Sequence, residues 1–424
     1  MSDKKIAFFL LYWILYSGLI QHFLIRNIAF NVVPDIILTI LLFLVAKRKN
    51  KTTISRNVGT YVPLFIGLLL FIGSLQMIVN GAETIPYFWN IRFYLRGAVI
   101  FYVFIKTMNY ADIDKYKHIM YVAIIPNFLM CLYEWKFWGG GDCVGGIFAG
   151  GNSEMVLFLL PVLFMVSGDY YFNRKSKTTF ICLLTSSMFL AFIGEIKLLY
   201  IIIPIFIYIS YVLLKRFSFA HIIVAVLLLV FFEPVMKYSL SFFYDEEYVE
   251  NVFTQDTTED YTTHSYIVGS EDAMNRGTAL VMTEELILKD NYHKALGYGI
   301  GASSISEQFK SSVGLEYRAT YFNLFTPSYI MVEVGVIGYV LFIAIYVMMM
   351  LRFYNYYKKN NYNLEVKYWA SMGILGCLST FVLQWYNSTP VLNYNIYYIF
   401  LAFCFIAINE NIKIQNKKNE SKKC

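Results

Sequence analysis

A few charged side chains fall where a charge is costly, and they are where chemistry is to be sought. Arg92 and Arg96 stand four residues apart in a long apolar stretch, so a helix puts both on one face. A guanidinium stays charged, and its planar fork of donors matches a phosphate or carboxylate. Two readings are open: the pair snorkels toward lipid headgroups, or it lines an outward-facing cavity and holds an anion. Glu195 and Lys197 share the tight turn Glu195-Ile196-Lys197 between two apolar stretches. The turn is either a plain polar hairpin or a rigid mount for a general base. In the second case apolar walls raise the pKa of Glu195, and Lys197 orients it or binds phosphate. Arg276 and Arg318 lie in a long polar region, each either a diphosphate ligand or a solvated residue. His264, His293 and Lys294 share that region and are available for proton transfer, but loop histidines are ordinarily solvated. His22, His118 and His221 lie near helix ends and receive no role.

These residues need elements to position them. The chain has 424 residues, 58% apolar and only 15% charged, whereas a soluble domain carries about a quarter charged residues. Apolar stretches of the length that crosses about 30 Å of hydrocarbon recur along it. Tyr and Phe dominate an aromatic content of 19%, and many stand at stretch ends, where amphipathic rings favour the headgroup region. The reading is all-α and polytopic, with about twelve spans at 6–25, 31–46, 61–79, 89–107, 117–137, 153–172, 179–194, 198–214, 219–237, 329–352, 368–386 and 392–409. The second is the weakest, because it carries Pro34 and Asp35. Backbone polar groups left unpaired in lipid are prohibitive, so each span must be helical. The first reads as an anchor rather than a cleaved signal, since no small-residue cleavage site follows it.

Most of the 35 Lys and Arg fall on one side if both termini are cytoplasmic, which sets the orientation. The division is then 1–237 with helices one to nine, 238–328 as one large extracytoplasmic loop, 329–409 with helices ten to twelve, and 410–424 as a basic cytoplasmic tail. A loop of that length is uncommon unless functional. Its acidic, Thr-rich start is expected to be a mobile flap. An amphipathic helix follows, capped by Ser270, carrying Arg276 and ending near Lys289. Gly297, Gly299 and Gly301 then make a flexible turn. They are not a dinucleotide fingerprint, because no βαβ pattern surrounds them. The six cysteines have neither metal-site nor disulfide spacing, and neither metal nor cofactor is expected. The net charge of +6 is spread over loops and tail, which speaks for membrane orientation and not for nucleic acid.

The ordered set of short motifs resembles the Wzy-type polysaccharide polymerases and the related O-antigen ligases. The motifs are Arg92-Phe93-Tyr94-Leu95-Arg96, then Gly150-Gly151-Asn152-Ser153-Glu154 opening the sixth span, and Gly194-Glu195-Ile196-Lys197. Arg276 with Leu280 and Leu296-Gly297-Tyr298-Gly299 follow. Ser328-Tyr329 with Glu333-Val334-Gly335-Val336-Ile337-Gly338 comes last. The sequence departs from that family at Leu324-Phe325-Thr326-Pro327-Ser328, where a His-Asn pair is common. This leans away from the ligase branch and raises Glu195 as the base.

The resemblance implies a membrane-embedded GT-C-like glycosyltransferase of the bacterial cytoplasmic membrane. Donor and acceptor would both be oligosaccharides on polyprenyl diphosphate. The growing chain would be transferred with inversion, and fixed cations would take the place of a metal. Glu195 and Arg276 are then the catalytic candidates, and Arg92, Arg96, Arg276, Lys197 and Arg318 the diphosphate-binding set. A chain-length regulator and a flippase are plausible partners. The alternatives are a ligase moving finished polymer to an acceptor, and a lipid-linked oligosaccharide flippase or other transporter. The long outer loop and the lack of a visible internal repeat count against a transporter.

Overall fold

The computed structural model describes residues 2–23, 30, 32–47, 58–139, 141, 144–148, 151–172, 174–215, 273–306, 308–359 and 363–421, with 223, 234, 237, 238 and 241. Among them the fold is helical, and extended chain pairs only at an isolated bridge between Ile305 and Lys310. Among the described residues, the helices before the long polar region are α1 Asp3–Phe23, α2 Val33–Ala46, α3 Tyr61–Val79, α4 Thr84–Thr107, α5 Asp112–Val122, α6 Ile124–Trp138, α7 Asn152–Tyr171, α8 Lys177–Ile193 and α9 Lys197–Leu214. The polar region holds short helices α10 Ala279–Met282, α11 Asn291–Leu296 and α12 Ser312–Glu316. After it come α13 Thr326–Lys359, α14 Leu364–Tyr386, the short α15 Thr389–Leu392 and α16 Asn395–Ser421.

Seven of these helices are long and apolar enough to cross a membrane: α3, α4, α7, α9, α13, α14 and α16, while α2 and α8 are shorter apolar helices. The chain is therefore a polytopic helical membrane protein. Burial separates its centre from its rim. The apolar window of α7 is 83% buried, whereas that of α3 is only 22% buried. A helix apolar on every side yet exposed, as α3 is through Leu64, Leu68, Phe71 and Leu75, turns its outer face to lipid. Helices α9 and α16 pack on both α7 and α14, α13 packs on α14, and α4 lies against α16.

Several expectations change here. The fifth span is two helices meeting at Ala123. Pro126 has no N–H to offer the carbonyl four residues back, so the ladder breaks there. The ninth, 219–237, and the acidic flap lie outside the described residues apart from scattered positions. Helix α13 begins at Thr326, not 329, and α16 runs helical to Ser421 through most of the expected tail.

Arg276 precedes its helix instead of lying in it. Residues 273–275 have no helical structure, 276–278 form a turn, and the helix starts at Ala279. The cause is local: the Asn275 side-chain carbonyl accepts the backbone N–H groups of Gly277 and Thr278 at 2.8 and 2.9 Å. Asn275 thereby closes the turn at 276–278 that leads into α10; Ser270, the expected cap, lies outside the described residues.

The glycine turn is not flexible. Tyr298 and Gly299 donate their N–H groups to the carbonyls of Val332 and Glu333 at 2.8 and 2.9 Å, and Ile300 donates to Gly73 of α3 at 3.0 Å. Gly335, inside α13, has φ of 68° and ψ of −174°, a conformation nearly confined to glycine. A Cβ on Gly335 would stand 2.3 Å from the backbone of Ala295, and one on Gly297 would stand 2.6 Å from that of Glu333. The two glycine motifs thus exist to let two backbones touch.

Candidate functional site

The clamp is completed by one buried carboxylate. Glu333 is wholly buried. Its Oε1 accepts from Asn90 Nδ2 at 2.7 Å, Ser303 Oγ at 2.6 Å and the Gly301 N–H at 2.9 Å. Tyr94 donates to Oε2 at 2.8 Å. Since Asn90 and Tyr94 belong to α4, this network pins residues 297–303 against the first turns of α4. Ser312 adds to it by donating its N–H to Glu83, the residue preceding α4, at 2.9 Å. The docked segment therefore covers the end of the bundle where Arg92 and Arg96 lie.

At that end a cavity of about 260 Å³ opens among α1, α2, α4, α7 and α16. Trp89, Arg92, Phe93 and Arg96 line it from α4, Ser17 and Gln21 from α1, Pro34 from α2, and Glu154 and Leu157 from α7; Leu392, Asn393, Asn395 and Ile396 close it. Arg92 is half-buried and Arg96 buried. Asp35 holds both. Arg96 makes a bidentate pair with it, Nε to Oδ1 and Nη2 to Oδ2, each at 2.6 Å. Arg92 Nη1 reaches Asp35 Oδ2 at 3.0 Å. Such a fork-to-fork pair fixes geometry as well as charge.

Arg92 is fixed a second way. Its Nε donates to the Trp89 carbonyl at 3.0 Å, and its guanidinium lies 3.4 Å from the Trp89 ring centroid. The indole in turn stacks on Phe309 at 4.0 Å and 9°. The order Phe309, Trp89, Arg92 ties the docked segment directly to a cavity cation. Across the cavity, Asn393 Nδ2 donates to Glu154 Oε1 at 2.6 Å. The whole is a small polar chamber in an apolar bundle, with cations on α4, a carboxylate on α7 and an indole at its edge. That set suits an anionic ligand carrying hydroxyl groups.

The other expected site residues stand apart. Arg276 Nε donates to the carbonyl of Tyr386 at 3.1 Å, and its guanidinium lies 4.6 Å from that ring centroid. It thus sits at the C-terminal end of α14, where a cation meets the helix dipole. From there the chain leads through α15 to Leu392 and Asn393 of the cavity wall. Arg318 is exposed on a short turn after α12. Glu195 and Lys197 are half-buried and do not line the cavity. Glu195 has a left-handed backbone with φ of 48°, and its Oε1 lies 3.1 Å from where a Cβ on Gly141 would be. Asn152 Nδ2 donates to the Gly194 carbonyl at 3.2 Å, so this turn is tied to the start of α7.

The expected site residues did not include Asp35, which holds both arginines, or Glu154 and Asn393 of the chamber lining. For Asp35 the signal was present, since a carboxylate within an apolar stretch calls for a partner. Glu154 was visible only as the end of a motif, and nothing in the sequence marked Asn393. No protein-family model matches the chain, and no curated protein or solved structure does either, so no family is assigned to it.

Proposed function

We propose that the chain is a polysaccharide polymerase. It transfers an oligosaccharide chain from one polyprenyl-diphosphate carrier onto the sugar of another, on the outer face of the bacterial cytoplasmic membrane. The observation that carries this reading is the chamber holding Arg92 and Arg96 within an apolar bundle. Fixed cations at that place fit a diphosphate whose tail stays in lipid. The resemblance of the motif order to Wzy-type polymerases supports it. So does the docked segment 273–325, which is suited to cover sugars. In this reading the bundle has twelve spans and a GT-C-like arrangement, with both termini cytoplasmic.

The reaction is one displacement with inversion. An acceptor hydroxyl oxygen bonds to the anomeric carbon while the bond from that carbon to the diphosphate oxygen breaks. The electron pair departs onto the diphosphate, where the arginines meet it, and the hydroxyl proton passes to a carboxylate. Arginines already oriented by Asp35 and Trp89 need no reorganisation as charge develops, and an oriented donor of that kind contributes about 100-fold or more in rate. Arg276 shapes the chamber through the loop after α14. The test is elongation of lipid-linked repeats by purified protein in detergent, with no ion gradient. Arg92→Ala and Arg276→Ala should abolish polymer and let single lipid-linked repeats accumulate. Polymer of normal length in both variants would end the proposal.

A further inference from the structure

The displacement above needs a proton acceptor within reach of the acceptor sugar, on a different wall from the cations that take the leaving group. We propose that this base is Glu154, positioned by Asn393; the assignment rests on the polymerase reading. Glu154 lines the same chamber as Arg92 and Arg96. The three do not share a wall: the arginines are on α4 and Glu154 is on α7. Both helices pack on α16, whose first residues, Asn395 and Ile396, line the chamber with them. A sugar held among these helices would meet the cations on one side and a carboxylate on another, the arrangement a base and a departing diphosphate require.

Orientation is built in as well. Asn393 donates to Glu154 Oε1 at 2.6 Å, and this bond spans 239 residues of chain. A base aimed by a third group is the usual mark of a catalytic constellation. Glu154 also stands on the first turn of a buried helix, a firmer mount than a loop. Glu195 lacks these features: it lies outside the chamber lining, in a strained turn packed toward Gly141. The proton leaves the acceptor hydroxyl for Glu154 as oxygen bonds to the anomeric carbon, and the broken bond's electron pair goes to the diphosphate.

The experiment measures elongation kinetics with purified lipid-linked repeats across pH. Glu154→Gln should lower kcat about 100-fold or more while KM for the lipid-linked donor stays within threefold. It should also remove the acidic limb of the kcat profile, because the residual rate no longer depends on deprotonating that group. Glu195→Gln separates the two carboxylates: loss of the acidic limb in this variant, with the limb kept in Glu154→Gln, would assign the base to Glu195 and overturn the proposal. Asn393→Ala should lower kcat about tenfold and keep the limb. If Glu154→Gln is not recovered folded, Glu154→Asp decides: a shifted acidic limb supports the assignment and an unchanged one overturns it. Turnover by Glu154→Gln within threefold of the unaltered protein would overturn it too. Failure of the unaltered protein to elongate would instead overturn the polymerase reading.

Discussion

Replacing Glu333 by Ala tests whether one carboxylate docks the whole polar segment. Four donors converge on it, from Asn90, Tyr94, Gly301 and Ser303. At about 1.5 kcal/mol for each of these buried bonds, their loss costs about 6 kcal/mol. Asn90 recovers part of this, because it also reaches Tyr329 at 2.9 Å and Ser303 at 3.3 Å. The Gly301 N–H has no such substitute within its turn. A net cost of about 4 kcal/mol remains, which shifts the docking equilibrium about 1000-fold. Hydrogen exchange in detergent reads it directly, since the amides of Tyr298, Gly299 and Ile300 are protected only by docking to Val332, Glu333 and Gly73. Their protection should fall about 1000-fold. The buried thiols of Cys131, Cys377 and Cys404 should remain unreactive, because the loss is local to the dock. Glu333→Gln keeps the volume and one acceptor oxygen, so its cost should be about 1–2 kcal/mol. Protection within tenfold of normal in Glu333→Ala would refute the reasoning.

Three further outcomes follow from the same geometry. Gly335→Ala should release α11 and lower the thermal midpoint, followed by reaction of the buried thiols. Its φ of 68° and a Cβ 2.3 Å from the Ala295 backbone combine strain of about 1–3 kcal/mol with a clash that no rotamer relieves. Asp35→Asn leaves two guanidinium groups without their shared anion. Removing one partner of a buried pair costs about 3–5 kcal/mol, and the lower figure applies because the Asp35 side chain is 22% exposed. A denaturation midpoint equal to that of the unaltered protein would show that the arginines do not depend on Asp35. Asp290 caps α11 by accepting the His293 N–H at 2.9 Å. The His293 ring and backbone hold its carboxyl below its ordinary range. A carboxyl whose value is lower in the folded state contributes fully above about pH 4 and loses that contribution as pH falls through the folded value. Amide protection at 293–296 should therefore drop in acid for the unaltered protein, and Asp290→Asn should show no such pH dependence.

The clamp around Glu333 also bears on how the polar region is to be understood. Residues 297–303 lie in backbone contact with α3 and α13, so the segment moves with the bundle. Phe309 then carries that rigidity to Trp89 and Arg92. Weakening the dock should disturb the chamber cations from a distance, through a stack whose members are all named.

Much of the bundle was legible in the residue order alone. An unpaired peptide group in lipid is so costly that a long apolar stretch has helix as its only solution. The stretches matching α3, α4, α7, α9, α13, α14 and α16 therefore declared themselves. The spacing of Arg92 and Arg96 likewise implied a shared face. What the residue order left open was which distant groups answer which charges. Asp35 and Arg96 are 61 residues apart, and Glu154 and Asn393 are 239 apart. Helical periodicity reports which face a side chain occupies, while the neighbour it meets depends on how helices cross. The glycines read as a flexible turn became a rigid dock for the same reason: a missing side chain permits either looseness or close approach, and only the second backbone, that of α13, decides between them.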